Sequence, residues 1–253
     1  MSGEPGPLLR VATYNVHGCR GMDGQRSESR IADVIASMSA DVVGLQELDS
    51  GRARSGAIDQ AAAIAQQLGW QHFFHPAMRH GDEQYGNAIV SRFPINATRA
   101  VELPGSGSWY CREKRAAIGA ELQTPLGHVQ LINTHLGLGG GERILQARLL
   151  LGAEWLGAPA NDTARIFLGD LNSVRASRAY RLIGAQMRDV RTLVSPPGAF
   201  RTFPTRFPSL AVDHIFINAA LQPAKLSVHR TPLSRVASDH FPLVADLLRS
   251  NQR

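Results

Sequence analysis

The chain has 253 residues, of which 43% are hydrophobic and 19% are charged, and this composition excludes disorder over most of its length. No apolar run approaches the roughly 18 residues of a membrane-spanning helix. The first ten residues lack the basic and apolar segments of a signal peptide. With no linker or change of composition along the chain, we expect a single domain over residues 8–249.

The formal net charge of +6 favours a polyanionic or phosphorylated partner, although a basic solvated surface would produce the same balance. Arginine supplies most of the positive charge, because Lys114 and Lys225 are the only lysines, and guanidinium groups bind phosphate oxygens in pairs. Cys19 and Cys111 allow at most one disulfide. We therefore expect a reduced, cytoplasmic monomer, with peripheral contact to a membrane as the alternative.

Hydrophobic periodicity predicts strands alternating with helices along the whole chain, which is typical of layered α/β packing. The segments 42–49 and 166–173 are alike, since each runs an apolar strand into a carboxylate, and this favours two similar sheets packed face to face. In chain order, the pattern predicts strands at 8–15 and 41–46, helices at 26–38 and 58–68, strands at 87–91, 116–122 and 128–133, a helix at 142–155, a strand at 166–168, a short helix at 177–183, and strands at 211–217 and 243–247.

Polar residues recur at or near the ends of these predicted strands. Any one of them is explained by a helix cap, a salt bridge or a structural histidine, but the repetition is not explained by capping alone. Strand ends meet at one edge of a sheet, and gathering so many charges there requires a metal or a charged ligand. The residues concerned are Asn15, Glu47, His135, Asp170, Asn172, Asp213, His214, Asp239 and His240.

The donor types in this set indicate the metal. Carboxylate and amide oxygens favour Mg²⁺, with Mn²⁺ as a substitute, over zinc. The histidines lack the spacing of zinc proteases, and the sequence contains no CxxC pair. Histidine and aspartate side chains can also position a water molecule for in-line attack on phosphorus.

Seven segments of the sequence resemble the endonuclease/exonuclease/phosphatase superfamily of Mg²⁺-dependent phosphoesterases, and they occur in the order that is typical of that superfamily. The resemblance covers almost the whole chain and implies a four-layer α/β sandwich, with two mixed sheets face to face and helices outside. The matching segments are TYNVHG (13–18), VVGLQELD (42–49), YGNAIVSRFPI (85–95), INTHLG (132–137), IFLGDLNS (166–173), VDHIFI (212–217) and SDHFPLVADL (238–247).

The resemblance also implies roles for individual residues. Glu47 would be the main Mg²⁺ ligand, with Asn15 and Asp239 close to the metal. His135 and Asn172 would donate hydrogen bonds to the phosphate oxygens, where charge builds during phosphoryl transfer.

The remaining members would act on the attacking water. Asp170 would orient or deprotonate it, Asp213 would orient His240, and His240 would act on the water or the phosphate. The resemblance leaves the general base open between Asp170 and His240, and it implies direct attack of water without a covalent nucleophile.

Three neighbouring residues are candidate substrate contacts. His17 follows Asn15 closely and is either a metal or substrate contact or a structural residue. Asn87 is expected to support the site from behind, and Arg115 precedes a predicted strand as a candidate phosphate contact.

Two further features near the site are less specific. Arg52 and Arg54 are treated as surface arginines. The glycine-rich loop 18–26 is a candidate for the mouth of the site, although it lacks the pattern of a P-loop.

The function that follows is hydrolysis of a phosphate mono- or diester of a small molecule or lipid headgroup. Aromatic residues are only 6% and no basic stretch is interleaved with them, which disfavours nucleic acid. The positive net charge points the other way, so a DNA or RNA nuclease is the alternative. A catalytically inactive phosphate-binding domain is the third hypothesis, but none of the expected site residues is missing.

Overall fold

A computed structural model describes residues 8–105, 113–157, 163–195 and 199–250. Within these ranges the chain forms twelve strands and five α-helices. In order they are β1 (Leu9–Asn15), α1 (Glu28–Ser37), β2 (Val42–Ser50), α2 (Gln60–Leu68), β3 (Gln71–His80), β4 (Glu83–Ser91), β5 (Ile95–Leu103), β6 (Arg115–Thr124), β7 (Gly127–His135), α3 (Gly140–Leu150), β8 (Ala164–Asp170), α4 (Arg178–Gly184), β9 (Arg188–Asp189), β10 (Asp213–Ile217), β11 (Leu221–Val228), α5 (Pro232–Ala237) and β12 (Leu243–Arg249).

The strands form two mixed sheets, as the family resemblance implies, and each sheet has six strands. The first sheet has the order β11-β12-β1-β2-β4-β3, and the second has the order β5-β6-β7-β8-β10-β9. At the centre of each sheet lies one parallel pair, β1–β2 in the first and β7–β8 in the second, while their other neighbours are antiparallel. This common plan accounts for the similarity between the segments 42–49 and 166–173.

Three apolar clusters hold four layers together. The central cluster joins the facing sides of the two sheets, with Val11 and Ile89 from one sheet and Ile118 and Leu168 from the other. A second cluster lies between the first sheet and α1 and α2. A third lies between the second sheet and α3 and α4. The helices therefore cover the outer faces of a sandwich, and the core strands are buried on both sides.

Helix α1 illustrates how local sequence sets these elements. Ser27 caps its first turn by accepting a hydrogen bond from the backbone N–H of Arg30 at 3.1 Å. Ile31, Val34 and Ile35 then recur at helical spacing and are fully buried against the sheet.

The strands that the hydrophobic pattern missed all lie at sheet edges. β3, β5, β9 and β11 occupy the four outer positions of the two sheets. Their side chains are largely half-buried or exposed, as in β3, so polar residues interrupt the period-2 pattern that predicts a strand.

Helix α3 is shorter than its pattern predicts. It begins at Gly140 and ends at Leu150, whereas the periodicity extends to Trp155. Gly152 follows the last turn and disfavours continuation of the helix, since glycine gains flexibility on unfolding. Trp155 lies beyond the helix and carries the guanidinium of Arg99 over its ring, 4.6 Å from the centroid.

Among the described residues, the helices are too short and too polar to cross a membrane. Cys19 is buried as a free thiol, and burial raises its pKa. Cys111 lies outside the described residues, so its state stays a prediction.

Candidate active site

Polar residues from both sheets meet at one edge of the sandwich, where the central parallel strands end. β1 ends at Asn15, while β7 and β8 end side by side at His135 and Asp170. The antiparallel strand β10 begins at the same edge, so Asp213 pairs with Asp170. Direct contacts join ten of the predicted residues here: Asn15, His17, Glu47, Arg115, His135, Asp170, Asn172, Asp213, Asp239 and His240.

Glu47 reaches the site through a bulge in β2. Gln46 and Glu47 together face a single residue of β4, Asn87. Glu47 has a φ of 63°, a left-handed conformation that costs a non-glycine residue about 1–2 kcal/mol. Gln46 turns into the sandwich and donates to Asn133 Oδ1 at 2.7 Å, while the Glu47 carboxylate enters the cleft with 23% of its side chain exposed.

Asn15 joins the two carboxylates at the base of the cleft. Its Nδ2 donates to Glu47 Oε1 at 2.9 Å and to Asp170 Oδ2 at 3.1 Å. Its Oδ1 accepts from the backbone N–H of His17 at 3.1 Å. The amide thereby fixes the separation between a residue of the first sheet and a residue of the second.

His135 is buried between two donors. Arg115 Nη1 lies 3.0 Å from its Nδ1, and a guanidinium can only donate, so Nδ1 accepts and Nε2 carries the proton. Nε2–H cannot bond to Asn172 Nδ2, which is itself a donor 3.0 Å away, and the acceptor near it is Asp170 Oδ2 at 3.5 Å. Burial, with the charges of Arg115 and His240, places the pKa of His135 well below its usual value. The ring is therefore neutral at pH 7.

His240, in contrast to the neutral His135, is positively charged. Its Nδ1 donates to Asp213 Oδ2 at 2.9 Å, and its Nε2 lies 3.7 Å from Asp170 Oδ2. Burial lowers the pKa of His240, but the carboxylates of Asp213 and Asp170 overcome it and raise that pKa to about 10. Burial raises the pKa of Asp170 to about 7 despite the nearby imidazolium. At neutral pH the protonated His240 therefore faces the carboxyl group of Asp170, whose own pKa lies close to that pH.

Asp239 lies at the rim beside Asn15. The preceding residue, Ser238, donates from Oγ to the backbone carbonyl of Asn15 at 2.8 Å, which fixes this loop to β1. The Asp239 side chain is 27% exposed, and its Oδ1 lies 3.9 Å from His17 Nδ1. That nitrogen of His17 is buried and has no hydrogen-bond partner among the described residues.

Arg115 and Asn87 differ in their relation to the cleft. Arg115 is 5% exposed and contacts both Glu113 and His135, so it lies within the site. Asn87 is buried, and its Nδ2 donates to the backbone carbonyl of Ala116 at 2.9 Å. This bond links the first sheet to the second behind the bulge in β2.

The donors around Glu47 fit a hard divalent cation. Glu47 and Asp239 offer partly exposed carboxylates near Asn15, and carboxylate oxygens are the donors that such a cation prefers. The unpartnered His17 Nδ1 also faces the space beside Asp239. The carboxylate oxygens in this set are donors of the type that Mg²⁺ and Mn²⁺ prefer, whereas the imidazole nitrogen is a donor that zinc also accepts.

A second group, Asp170, Asp213 and His240, also places donor atoms within 4.8 Å of one another. These residues are buried, and the hydrogen bond between Asp213 and His240 already joins two of them. An imidazolium offers no lone pair to a metal. The positive charge of His240 therefore takes the place that a cation would have in this group.

A cavity of about 500 Å³ opens from Glu47 towards the loop at 18–26. The loop forms one wall, as the sequence predicts. Arg52 and Arg54, which the sequence predicts at the surface, form part of a second wall. Arg54 is exposed, and Arg52 is half-buried. The lining residues are His17, Gly18, Arg20, Arg26, Glu47, Arg52, Arg54, Met78, Tyr85 and Glu113.

Two residues beside the site are not evident from sequence. Thr202 donates from Oγ1 to Asp213 Oδ2, the oxygen that also binds His240. Ser238 fixes the Asp239 loop and also accepts from the backbone N–H of His240 at 3.2 Å. Ser238 is the first residue of the SDH segment and could have been found there, whereas Thr202 lies in a loop without a motif.

A sequence profile of the Endonuclease/Exonuclease/phosphatase family matches residues 12–240. The chain belongs to this family. Its members are hydrolases that act on phosphoesters, typically with a divalent metal. The resemblance drawn from the seven sequence segments is confirmed, and so is the expected sandwich fold.

Three similar proteins show the range of this family. The Escherichia coli (strain K12) protein YbhP is 28% identical over 255 residues, which cover 94% of this chain and 96% of YbhP. The inositol phosphosphingolipids phospholipase C of Schizosaccharomyces pombe is 30% identical over 151 residues, 54% of this chain and 32% of that enzyme. The crystal structure of an endonuclease/exonuclease/phosphatase from Beutenbergia cavernae has a TM-score of 0.80 at 24% identity, covering 96% of this chain and 72% of that one.

Proposed function

We propose that this protein is a Mg²⁺-dependent phosphoesterase that hydrolyses a phosphate mono- or diester of a small molecule or lipid headgroup by direct attack of water. The observation that carries the proposal is the convergence of Glu47, Asn15 and Asp170 with His135 and His240 in one cleft. A partly exposed carboxylate for a cation thus lies next to buried groups that can hold or move a proton.

Binding of the phosphoryl group falls to the residues on either side of Asp170. Glu47, with Asn15 and Asp239, would hold Mg²⁺, which supplies positive charge beside the non-bridging oxygens. His135 carries its proton on Nε2, and Asn172 offers Nδ2 close by, so both can donate to those oxygens. These donors stabilise charge that is larger in the transition state than in the substrate.

Proton transfer from water is assigned to Asp170 rather than His240. His240 is protonated at neutral pH because two carboxylates surround it, and an imidazolium cannot accept a proton. Asp170 has a pKa near 7, so its carboxylate form can accept the proton from water at moderate cost. Asn172 N–H and Asn15 Nδ2 bind its two oxygens and fix its direction.

The cavity supports a small or headgroup-sized substrate. A volume of about 500 Å³ lies in the range of sites for small ligands. One relative is named as a phospholipase C for inositol phosphosphingolipids, which agrees with a headgroup as the substrate class. We propose a phosphorylated small molecule or headgroup in preference to nucleic acid.

The test is hydrolysis of p-nitrophenyl phosphate and bis-p-nitrophenyl phosphate with Mg²⁺, with and without EDTA. We expect turnover of at least one ester that EDTA abolishes and added Mg²⁺ restores. Glu47→Gln removes a charged ligand, so its activity should need a higher Mg²⁺ concentration. The exposed variant Glu102→Gln is the matched control, since this side chain lies on the edge strand β5.

Three outcomes would count against the proposal. Absence of metal-dependent turnover would favour a phosphate-binding domain without activity. A Mg²⁺ titration of Glu47→Gln that coincides with wild type would remove Glu47 as the main ligand. Faster cleavage of supercoiled or abasic DNA than of any small ester would favour the nuclease.

A further inference from the structure

Two arginines face each other on the loop that forms one wall of the cavity. Arg20 and Arg26 pair across an antiparallel bridge, closed by a hydrogen bond from Gly21 N to Gln25 O at 2.8 Å. Directly opposed residues of an antiparallel pair project from the same face, and like charges in such a pair are destabilising. Both residues line the cavity. This placement therefore concentrates positive charge on a single wall.

The charge of this pair is not neutralised internally. Among the described residues, no carboxylate lies within 4.0 Å of either guanidinium, and Arg26 donates only to the backbone carbonyl of Gly18, at 2.9 Å. Arg54, across the cavity, is different because Asp49 binds it through two hydrogen bonds of 2.7 and 2.8 Å. Arg20 and Arg26 thus keep most of their N–H donors for a ligand, whereas the charge of Arg54 is already paired with Asp49.

The same cavity includes Glu47, so one ligand can reach both the proposed metal site and the arginine pair. Its lining is mostly charged or polar, and Met78 and Tyr85 are the large apolar contributors. Such walls suit a polar molecule carrying negative charge and do not suit an acyl chain.

We propose that Arg20 and Arg26 form a subsite for a second anionic group, a phosphate or carboxylate, on the molecule whose phosphate ester is cleaved at Glu47. The inference rests on the proposed function and narrows its substrate class. The substrate is a small polar phosphoester with two anionic groups, present either as a free metabolite or as a lipid headgroup. Guanidinium groups bind such oxyanions through paired, charge-assisted hydrogen bonds.

The first experiment compares fructose 1,6-bisphosphate with fructose 6-phosphate. We expect wild type to have the higher kcat/KM for the bisphosphate. Arg20→Gln and Arg26→Gln should each reduce that preference by about 10- to 100-fold, the effect of losing one charge-assisted contact. Arg148→Gln, on the exposed surface of α3, is the control and should keep the wild-type ratio. Within the described part of the chain the Arg20 side chain forms no hydrogen bond or ion pair, so the fold should persist in that variant.

A lipid comparison identifies the source of the ligand. Phosphatidylcholine vesicles containing phosphatidylglycerol phosphate are compared with the same headgroup after deacylation. Faster turnover in vesicles indicates a lipid substrate, and faster turnover of the deacylated form indicates a soluble one. In either case the faster reaction should decrease in Arg20→Gln, and an unchanged rate in that variant would contradict the subsite.

A binding measurement distinguishes failure of this inference from failure of the proposed function. Asp170→Asn should bind fructose 1,6-bisphosphate without turning it over, as measured by calorimetry in the presence of Mg²⁺. Weaker binding in Asp170→Asn/Arg20→Gln than in Asp170→Asn supports the subsite even if wild type hydrolyses no ester. Absence of hydrolysis by wild type would overturn only the proposed enzymatic function. Two results would overturn the subsite without affecting the proposed phosphoesterase function. One is equal affinity of both variants for fructose 1,6-bisphosphate, and the other is an equal kcat/KM of wild type for the two sugar phosphates.

Discussion

Asp213 Oδ2 accepts hydrogen bonds from two residues, Thr202 and His240. The threonine hydroxyl fixes the direction of the carboxylate, and the carboxylate fixes the imidazolium that faces Asp170. A residue that never touches substrate can in this way control the geometry of proton transfer. Phe203, next in sequence, also packs on the His240 ring, with 4.6 Å between the ring centroids.

Replacing Thr202 should therefore slow the reaction without removing any catalytic group. We expect Thr202→Val to lower kcat by about tenfold or more, because a hydrogen bond to a charged carboxylate contributes roughly 1.5–3 kcal/mol. KM should change little. Thr202→Ser, which keeps the hydroxyl, should restore most of the rate. A wild-type kcat in Thr202→Val, which keeps the methyl group and loses only the hydroxyl, would show that this hydrogen bond does not matter.

At the level of single residues, sequence predicted the positions that follow strands. Asp170 and His135 could be paired because buried strands precede both, and strand ends meet at a sheet edge. Thr202 and Arg20 could not be assigned this way. Their placement depends on loops whose path is set by tertiary contacts, and no local pattern carries that information.

The bulge of β2 requires support from the opposite sheet. Where the ladder between β2 and β4 is interrupted, the backbone carbonyls of Leu45 and Ala88 each accept from Asn133 Nδ2 at 2.9 Å. Asn133 also accepts from Gln46 through Oδ1. One buried amide on β7 thus satisfies the groups that the bulge exposes.

We expect Asn133→Leu to be strongly destabilising. Two buried carbonyls and one amide would lose partners, at about 1–3 kcal/mol each, so the free energy of unfolding should fall by roughly 3 kcal/mol or more. Urea unfolding at pH 7 measures the change. Asn96→Leu, at an exposed position of β5, should stay within about 0.5 kcal/mol of wild type. A small effect at Asn133 would mean that water satisfies the bulge.

A second buried polar cluster joins α4, β9 and β10. Asp189 Oδ2 accepts from Tyr180 Oη at 3.0 Å and lies 3.1 Å from His214 Nδ1, with Arg191 Nε at 3.4 Å. Burial alone would raise the pKa of Asp189, but His214 and Arg191 outweigh it and lower that pKa below its usual value. The ionised form is therefore the stable one in the folded protein.

This shift predicts a pH dependence of stability. Because the folded pKa of Asp189 is lowered, its contribution is complete above the unfolded value of about 4 and is lost as pH falls through the folded pKa. We expect Asp189→Asn to cost about 3 kcal/mol near neutral pH and progressively less towards about pH 3. Urea unfolding of both proteins along this pH series measures it. A difference that stays constant with pH would exclude ionisation of Asp189 as the cause.

At the level of elements, the strands in the middle of each sheet were predictable and the edge strands were not. β8 is buried along its whole length, so its apolar run stands out in sequence. β5 alternates irregularly between half-buried and exposed residues because only one side of it has a neighbour. The hydrophobic pattern reports burial, and edge strands are only partly buried.

At the scale of the whole molecule, each sheet supplies half of the site. Glu47 and Asn15 belong to the first sheet, whereas His135 and Asp170 belong to the second. The apolar cluster between the sheets draws side chains from both, so neither sheet keeps its core without the other. We propose that residues 8–249 fold as one domain.

A single domain predicts one cooperative unfolding transition. Trp70 packs on the helix side of the first sheet and Trp155 on the helix side of the second. Variants in which Trp109 and one of these two tryptophans are replaced by phenylalanine keep a single fluorophore. In each of them the fluorescence midpoint in urea should coincide with the circular dichroism midpoint of the same variant. Separated fluorescence and dichroism transitions in either variant would indicate two units.

His17, Glu47 and Asn172 all adopt left-handed backbone angles, with φ values of 51°, 63° and 46°. Glycine adopts that conformation without steric cost. At position 47 the residue with the least backbone strain therefore differs from the one that offers a carboxylate. We expect Glu47→Gly to relieve this strain, and it would also remove the proposed metal ligand. At this position glycine is the less strained residue. A homologue that keeps the glutamate therefore keeps it for the proposed function and not for stability.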